Sequence, residues 1–161
     1  MEMSITFYDA ALVGHIIGIT LMAGAAFIDL AAFQIFWKVF LKDPAEGVRL
    51  EKYLNKLQKF MGIGMLVILI SGILMMVKMH EVWGAQLWFR IKMGVLLLII
   101  INGLGLRRML GSRLKRTLAA YFTGVDIAEA MVKLKNRLMT VQTIQVLLFI
   151  IIYVLSIFKF N

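Results

Sequence analysis

Four apolar blocks, at roughly 7–37, 60–77, 87–106 and 139–158, divide the chain, and charged residues collect between them. A helix rises about 1.5 Å per residue, so blocks of this length can cross a hydrocarbon core about 30 Å thick. The runs are continuous rather than alternating. Inside a bilayer every backbone group needs an internal partner, and continuous runs meet that need as helices rather than barrel strands.

The polar stretches between the blocks keep a helical period. In 48–61 the apolar positions are Leu50, Tyr53, Leu54, Leu57 and Met61, a seam at helical spacing. In 106–122 they are Leu106, Leu110, Leu114, Leu118 and Tyr121, and in 127–141 they are Ile127, Met131, Leu134, Leu138 and Val141. Asp43-Pro44-Ala45-Glu46 reads as a helix start, with a capping residue, proline in the first position and a glutamate placed for a capping box. Asp126-Ile127-Ala128-Glu129 repeats the signal, with Gly124 before it as a stop. The pattern predicts helices at about 7–41, 44–79, 86–122 and 127–158, with turns near 42–44 and 123–126. Such helices would be about 50 Å long, some four turns more than a bilayer needs. The expected fold is all-α and a single domain over 1–161: an integral membrane, up-down-up-down four-helix bundle whose helices extend into the cytoplasm. No internal repeat or low-complexity tract is visible.

Composition agrees. The chain is 61% hydrophobic with a mean hydropathy of +0.89 and one proline, against about 45–50% apolar in a soluble domain. No basic n-region precedes the first block, which Glu2 and Asp9 flank, so that block is expected to stay as a helix. The absence of cysteine excludes disulfides, thiolate metal sites, iron–sulfur clusters and covalent c-type haem attachment.

The formal charge of +9 is explained by topology and not by a nucleic-acid partner. Segment 38–59 carries Lys38, Lys42, Arg49, Lys52, Lys56 and Lys59, and segment 107–137 carries Arg107, Arg108, Arg113, Lys115, Arg116, Lys133, Lys135 and Arg137. Segment 78–90 has only Lys78 and Arg90. The positive-inside rule makes the two basic connectors cytoplasmic and both termini non-cytoplasmic, in an inner (plasma) membrane. Trp83 and Trp88 then lie near the outer interface and Trp37 near the inner one.

Ionisable groups inside membrane helices are costly and raise functional questions. His15 lies about two turns into helix 1 among Ala11, Gly14 and Gly18. Small neighbours leave room for a flat group with the histidine as axial ligand, or for another helix backbone to which it bonds. Lys92 lies about two turns into helix 3, at similar depth. It can snorkel outward, pair with an anionic ligand or ligate iron when neutral. Arg90 and Lys78 add positive potential nearby. Asp29 lies four turns beyond His15 on roughly the same face, with Arg107 or Arg108 as its expected ion-pair partner. Gln142, Gln145, Tyr153 and Ser156 recur at near-helical spacing and suggest interhelical hydrogen bonds. The twelve methionines, Met75, Met76 and Met79 among them, suit gap filling or soft-metal ligation. His80 with Glu81 is too sparse for a metal site. No Ser–His–Asp cluster, paired carboxylate or phosphate-binding glycine loop appears, so any chemistry is expected to need a cofactor.

His15-Ile16-Ile17-Gly18 followed by Met22-Ala23-Gly24, and Trp88-Phe89-Arg90-Ile91-Lys92 followed by a Leu/Ile run, resemble the first and third helices of the HemJ-type protoporphyrinogen oxidases. Arg137 and Lys159 stand where that family has basic residues. The related CopD four-helix membrane family shares the layout. The resemblance implies haem b held by His15, an essential Lys92 in a catalytic role, and oxidation of protoporphyrinogen to protoporphyrin. It departs at Ile28-Asp29-Leu30, where the family has Pro-Arg, at Asn102-Gly103, where it has a histidine, and at Phe160, where it has proline.

The sequence thus predicts a haem-b-binding membrane redox protein. His15 is its metal ligand, and His15, Lys92, Arg90 and Lys78 surround the cofactor. Membrane lipid and a quinone or other electron acceptor are the expected partners, and a homo-oligomer is compatible with the pattern. The alternatives are a CopD-like copper-handling protein, using His15 and methionines, and a non-enzymatic membrane scaffold.

Overall fold

The computed structural model describes the backbone of residues 2–84 and 86–158 and the side chains of 7–56, 58–77 and 86–158. The helices are α1 (Glu2–Lys42), α2 (Pro44–Trp83), α3 (Leu87–Ile100), α4 (Arg107–Tyr121) and α5 (Ala128–Ile157). A π-helical turn, Ile101–Leu106, joins α3 and α4 into one rod. No strand occurs among the described residues. Among the described residues, four helical rods are long and apolar enough to cross a membrane. Phe27, Ile63, Leu66, Ile70 and Ile150 stand more than half exposed on their outer faces, as lipid-facing positions of a multi-pass membrane protein do.

The turns form where the local chemistry demands them. Asp43 Oδ1 accepts from the amides of Ala45 and Glu46 at 2.9 and 3.1 Å, satisfying first-turn donors of α2. Gly124 adopts φ +80° after α4, a conformation that favours glycine. Asp126 Oδ1 then accepts from Ala128 N at 3.0 Å at the start of α5.

Packing begins with α1 against α2. A Cβ added at Gly64 would lie 2.8 Å from the Gly18 carbonyl oxygen, and one at Gly18 would lie 3.0 Å from the Ile68 nitrogen. Glycine at both positions lets the two backbones touch. Toward the α1–α2 turn the core is aromatic: Phe33 and Phe36 stack with ring centroids 5.6 Å apart, and Phe36 and Phe40 at 5.9 Å. Leu110, Leu114, Leu118, Met131, Leu134 and Leu138 close around them. The predicted seams therefore hold at their centres but not at every position. Tyr53 is 65% exposed, and Leu106 and Tyr121 are exposed as well. The seam positions that remain buried follow the face toward neighbouring helices, and these three fall beside it.

The middle of the bundle is tied by buried polar groups. Asp29, 2% exposed, receives a two-pronged pair from Arg107: Nε to Oδ2 at 2.7 Å and Nη2 to Oδ1 at 2.9 Å. Gln142 Nε2 donates to the same Oδ2 at 2.7 Å. With its amide oxygen turned toward the guanidinium, Gln58 accepts from both terminal nitrogens of Arg107 at 3.0 Å. Residues from α1, α2, α4 and α5 thus meet on one ion pair. Of the two arginines expected to serve Asp29, Arg107 does, and Arg108 is exposed.

The π-helical turn was not foreseen. Its sequence, Ile-Asn-Gly-Leu-Gly-Leu, holds two glycines that weaken an α-helix. The extra residue brings Asn102 round to α5, where Nδ2 donates to the Val141 carbonyl at 2.9 Å and to Gln145 Oε1 at 2.7 Å.

Removing one partner of a buried pair strands the other charge, so Asp29→Ala should destabilise the protein by about 3–5 kcal/mol. Asp29→Leu combined with Arg107→Met should recover most of that loss. Thermal unfolding in detergent, followed by helical circular dichroism, checks both; equal damage in the single and double variants would refute it.

Candidate functional site

Away from the aromatic end, the four rods part around a cavity of about 670 Å³, within the usual range for cofactor pockets of about 300–1,000 Å³. Each rod contributes a wall: Tyr8, His15 and Ile19 from α1, Gly72 and Met76 from α2, Phe89, Lys92 and Leu96 from α3, and Tyr153 and Ser156 from α5. Met22, Ile99 and Phe149 form its floor, one turn above Ala26, Gly103 and Gln145 of the polar middle. Several wall residues also reach the outer surface of the bundle, Ile16 being 56% exposed, Ile73 63% and Val77 73%.

His15 is the best-defined polar group in it. Its Nδ1 lies 2.9 Å from Ser71 Oγ on α2. The serine hydroxyl donates to its own helix, to the Val67 carbonyl at 2.6 Å. Oγ therefore accepts, Nδ1 carries the proton, and Nε2 is left with the lone pair. A hydrogen bond on one ring nitrogen fixes the tautomer and leaves the other available as a ligand. The ring packs over a glycine: a Cβ at Gly72 would lie 3.6 Å from His15 Cε1. The sequence offered helix-to-helix bonding and ligation as alternatives for His15. The structure gives it a bond across to α2, and with Oγ as the acceptor of that bond the second nitrogen keeps its lone pair, so the two roles are compatible.

Lys92 is half-buried on the α3 wall of the same cavity. Arg90 is not among the lining residues. It is exposed, and its Nε donates to the Gly84 carbonyl at 3.3 Å. It fastens the α2–α3 connection from outside the cavity lining. The side chain of Lys78, His80 and Glu81 and the whole of Lys159 lie outside the described residues.

On α5 the polar positions divide. Gln142 and Gln145 bond across to other helices, as their spacing suggested. Ser156 instead donates to its own Ile152 carbonyl at 2.6 Å, and Tyr153 lines the cavity. Met22, Met75, Met76 and Met93 also line it. No group of three or more His, Cys, Asp or Glu side chains gathers at a metal-binding distance among the described residues.

Sequence reasoning missed Ser71, Gly72 and the floor. Ser71 is a lone hydroxyl in an apolar run, and only its pairing with His15 on another helix gives it meaning. Comparison with protein-family models, curated proteins and solved structures finds no match for the chain.

The tautomer is open to direct observation. In a His80→Gln background, nitrogen-15 NMR of labelled histidine should show a protonated Nδ1 and an unprotonated Nε2 on His15 in the neutral state. Ser71→Ala should move the population toward the Nε2-protonated form. A wild-type ring already protonated on Nε2 would refute the assignment.

Proposed function

We propose that this chain is a membrane redox protein that binds haem b in the cavity between its four rods. The observation that carries this reading is that one largely apolar cavity of about 670 Å³ is lined by a histidine on one wall and a lysine on another. The residues present fit the group. The space suits a flat macrocycle, its walls are mostly apolar, and His15 Nε2 offers one nitrogen ligand held in place by Ser71. When bound, haem supplies one-electron chemistry, with a potential set by axial ligation and burial.

The chain's own residues would do the rest. His15 holds the iron. Lys92 places a positive charge beside the macrocycle, where it attracts a carboxylate and disfavours cationic ligands. Gly72 keeps the His15 ring free of a flanking side chain, and the floor of Met22, Ile99 and Phe149 excludes water. Passage between the rods, past wall residues that reach the lipid-facing surface, would give lipid-soluble molecules, protoporphyrinogen as substrate or a quinone as electron acceptor, a route that avoids the aqueous phase.

Four methionines lining the same cavity as His15 favour a second reading, copper(I) handling, since thioethers are soft ligands. The cavity is much larger than one ion requires, which weighs toward haem.

Purified protein should show a Soret band or acquire one with added haem, and His15→Ala should abolish retention while leaving the helical content unchanged. Lys92→Ala should shift the spectrum or lower oxidation of protoporphyrinogen by a quinone, without unfolding. Copper in place of haem on metal analysis supports the second reading, and refusal of both defeats the two together.

The basic connectors support an orientation with both termini non-cytoplasmic in a plasma membrane. A reporter active only in the cytoplasm, fused to the C-terminus, should stay silent. A bright cytoplasmic signal would overturn the orientation without touching the cavity.

A further inference from the structure

We infer that the bundle carries a belt for anionic phospholipid headgroups, at the level where the apolar parts of its rods end. Segments 38–59 and 107–137 hold fourteen basic and five acidic residues, so the whole net charge of +9 lies in them and the remainder of the chain is neutral. Most of the acids there are committed elsewhere. Asp43 and Asp126 accept from helix-start amides. Glu51 is buried and accepts from Asn55. Glu129 pairs with Lys133, and Arg107 spends its charge on Asp29. Lys56, Lys59, Arg108, Arg113 and Arg137 are exposed and have no carboxylate partner among the described residues. Like charges gathered this closely repel one another, and the chain supplies little counter-charge of its own.

The helices set the height of these residues. Arg107 bonds both Asp29 and Gln58, so the three share one level. At about 1.5 Å per residue, Lys56, Lys59 and Arg108 stand within about 3 Å of that level. Arg137 and Arg113 stand about 8–9 Å beyond it, counted from Gln142 and Arg107. The apolar blocks at 60–77, 87–106 and 139–158 stop at the same place. A bilayer core of about 30 Å lies within a total of about 40–45 Å, so headgroups occupy roughly the next 5–8 Å. The basic side chains therefore stand where lipid phosphates lie. On α1 an aromatic residue marks this zone. Trp37 has Lys135 Nζ 4.9 Å from its ring centroid, and tryptophan is enriched at membrane interfaces.

The distribution selects lipid over a protein partner. The basic positions face outward from α2, α4 and α5, with Trp37 on α1, so they surround the bundle. A docked protein covers one face, whereas a leaflet meets every face at once. Lysine and arginine also have the right build, since their apolar stems can lie along the helix while the charged heads reach phosphate. Each such residue near an anionic leaflet favours it by about fivefold. The belt is independent of the large cavity and of the side on which the termini lie.

The test uses wild-type protein in phosphatidylcholine vesicles with a trace of spin-labelled lipid. Electron paramagnetic resonance separates lipid held at the protein from bulk lipid. Spin-labelled phosphatidylglycerol should be held about fivefold over spin-labelled phosphatidylcholine. Salt at about 1 M, which shortens the screening length to about 3 Å, should remove most of that preference. Lys59→Gln, Arg108→Gln and Arg137→Gln together should remove most of it at low salt. The same loss of charge farther along the rods, Lys42→Gln with Arg49→Gln and Arg116→Gln, should leave it largely intact, because those residues stand about 14–20 Å beyond the ion pair. Equal retention of the two lipids by wild type would overturn the proposal and leave an acidic protein as the candidate partner. Equal effects of the two triple variants would overturn it as well. Should the belt variant fail to fold, the far-end variant decides: a lost preference there overturns the belt, and a kept one supports it.

Discussion

A carboxylate and a guanidinium sealed among apolar helices set the terms for the rest of this bundle. Neither Asp29 nor Arg107 has a low-energy alternative inside a membrane, because an isolated charge there is far more costly than a hydrogen-bonded pair. The pair can form only if α1 and α4 meet at one height. Gln142 and Gln58 then bring α5 and α2 to the same level. Helices in lipid gain little from burying apolar surface against one another, since lipid tails are equally apolar. Directional contacts of this kind, with the close Gly18–Gly64 approach, therefore decide register where hydrophobic packing cannot.

That fixed middle lets the two ends differ. On one side Phe33, Phe36 and Phe40 fill the space between helices with stacked rings. On the other, Gly72 of α2 and the methionines and aliphatics around it leave a large cavity. The same rods are thus solid at one end and hollow at the other. The change comes at the floor of Met22, Ile99 and Phe149, directly above the polar cluster.

Much of this architecture was legible in the sequence, and for identifiable reasons. Continuous apolar blocks, the Asp43-Pro44 cap and Gly124 are local signals, and the helices begin and end within a few residues of where those signals stand. Asp29 announced itself because a lone acid in a membrane helix demands a base, and the basic residues near the matching depth were few. The rest depended on pairings between helices. Asn102 looked like an ordinary polar residue until the π-helical turn swung it onto Gln145. Ser71 gained a role only from His15, which lies 56 residues away in the chain. Arg90 shared a stretch of sequence with Lys92, yet two residues on a helix point about 200° apart. One therefore lines the cavity while the other grips Gly84.

The hollow end owes its form to the same constraint. A cavity between helices ordinarily shrinks as its walls relax inward, which recovers part of the lost contact energy. Here α1 and α2 already touch backbone to backbone at Gly18 and Gly64, beside its lower end. The ion pair holds α1 against the third rod, and Gln142 holds it against α5. The walls are therefore braced from beneath, and the spacing at His15 and Lys92 is set by contacts that lie outside the cavity itself. Such bracing is what preorganises a binding site: the cost of holding the walls apart is met before any ligand arrives and is not subtracted from its affinity.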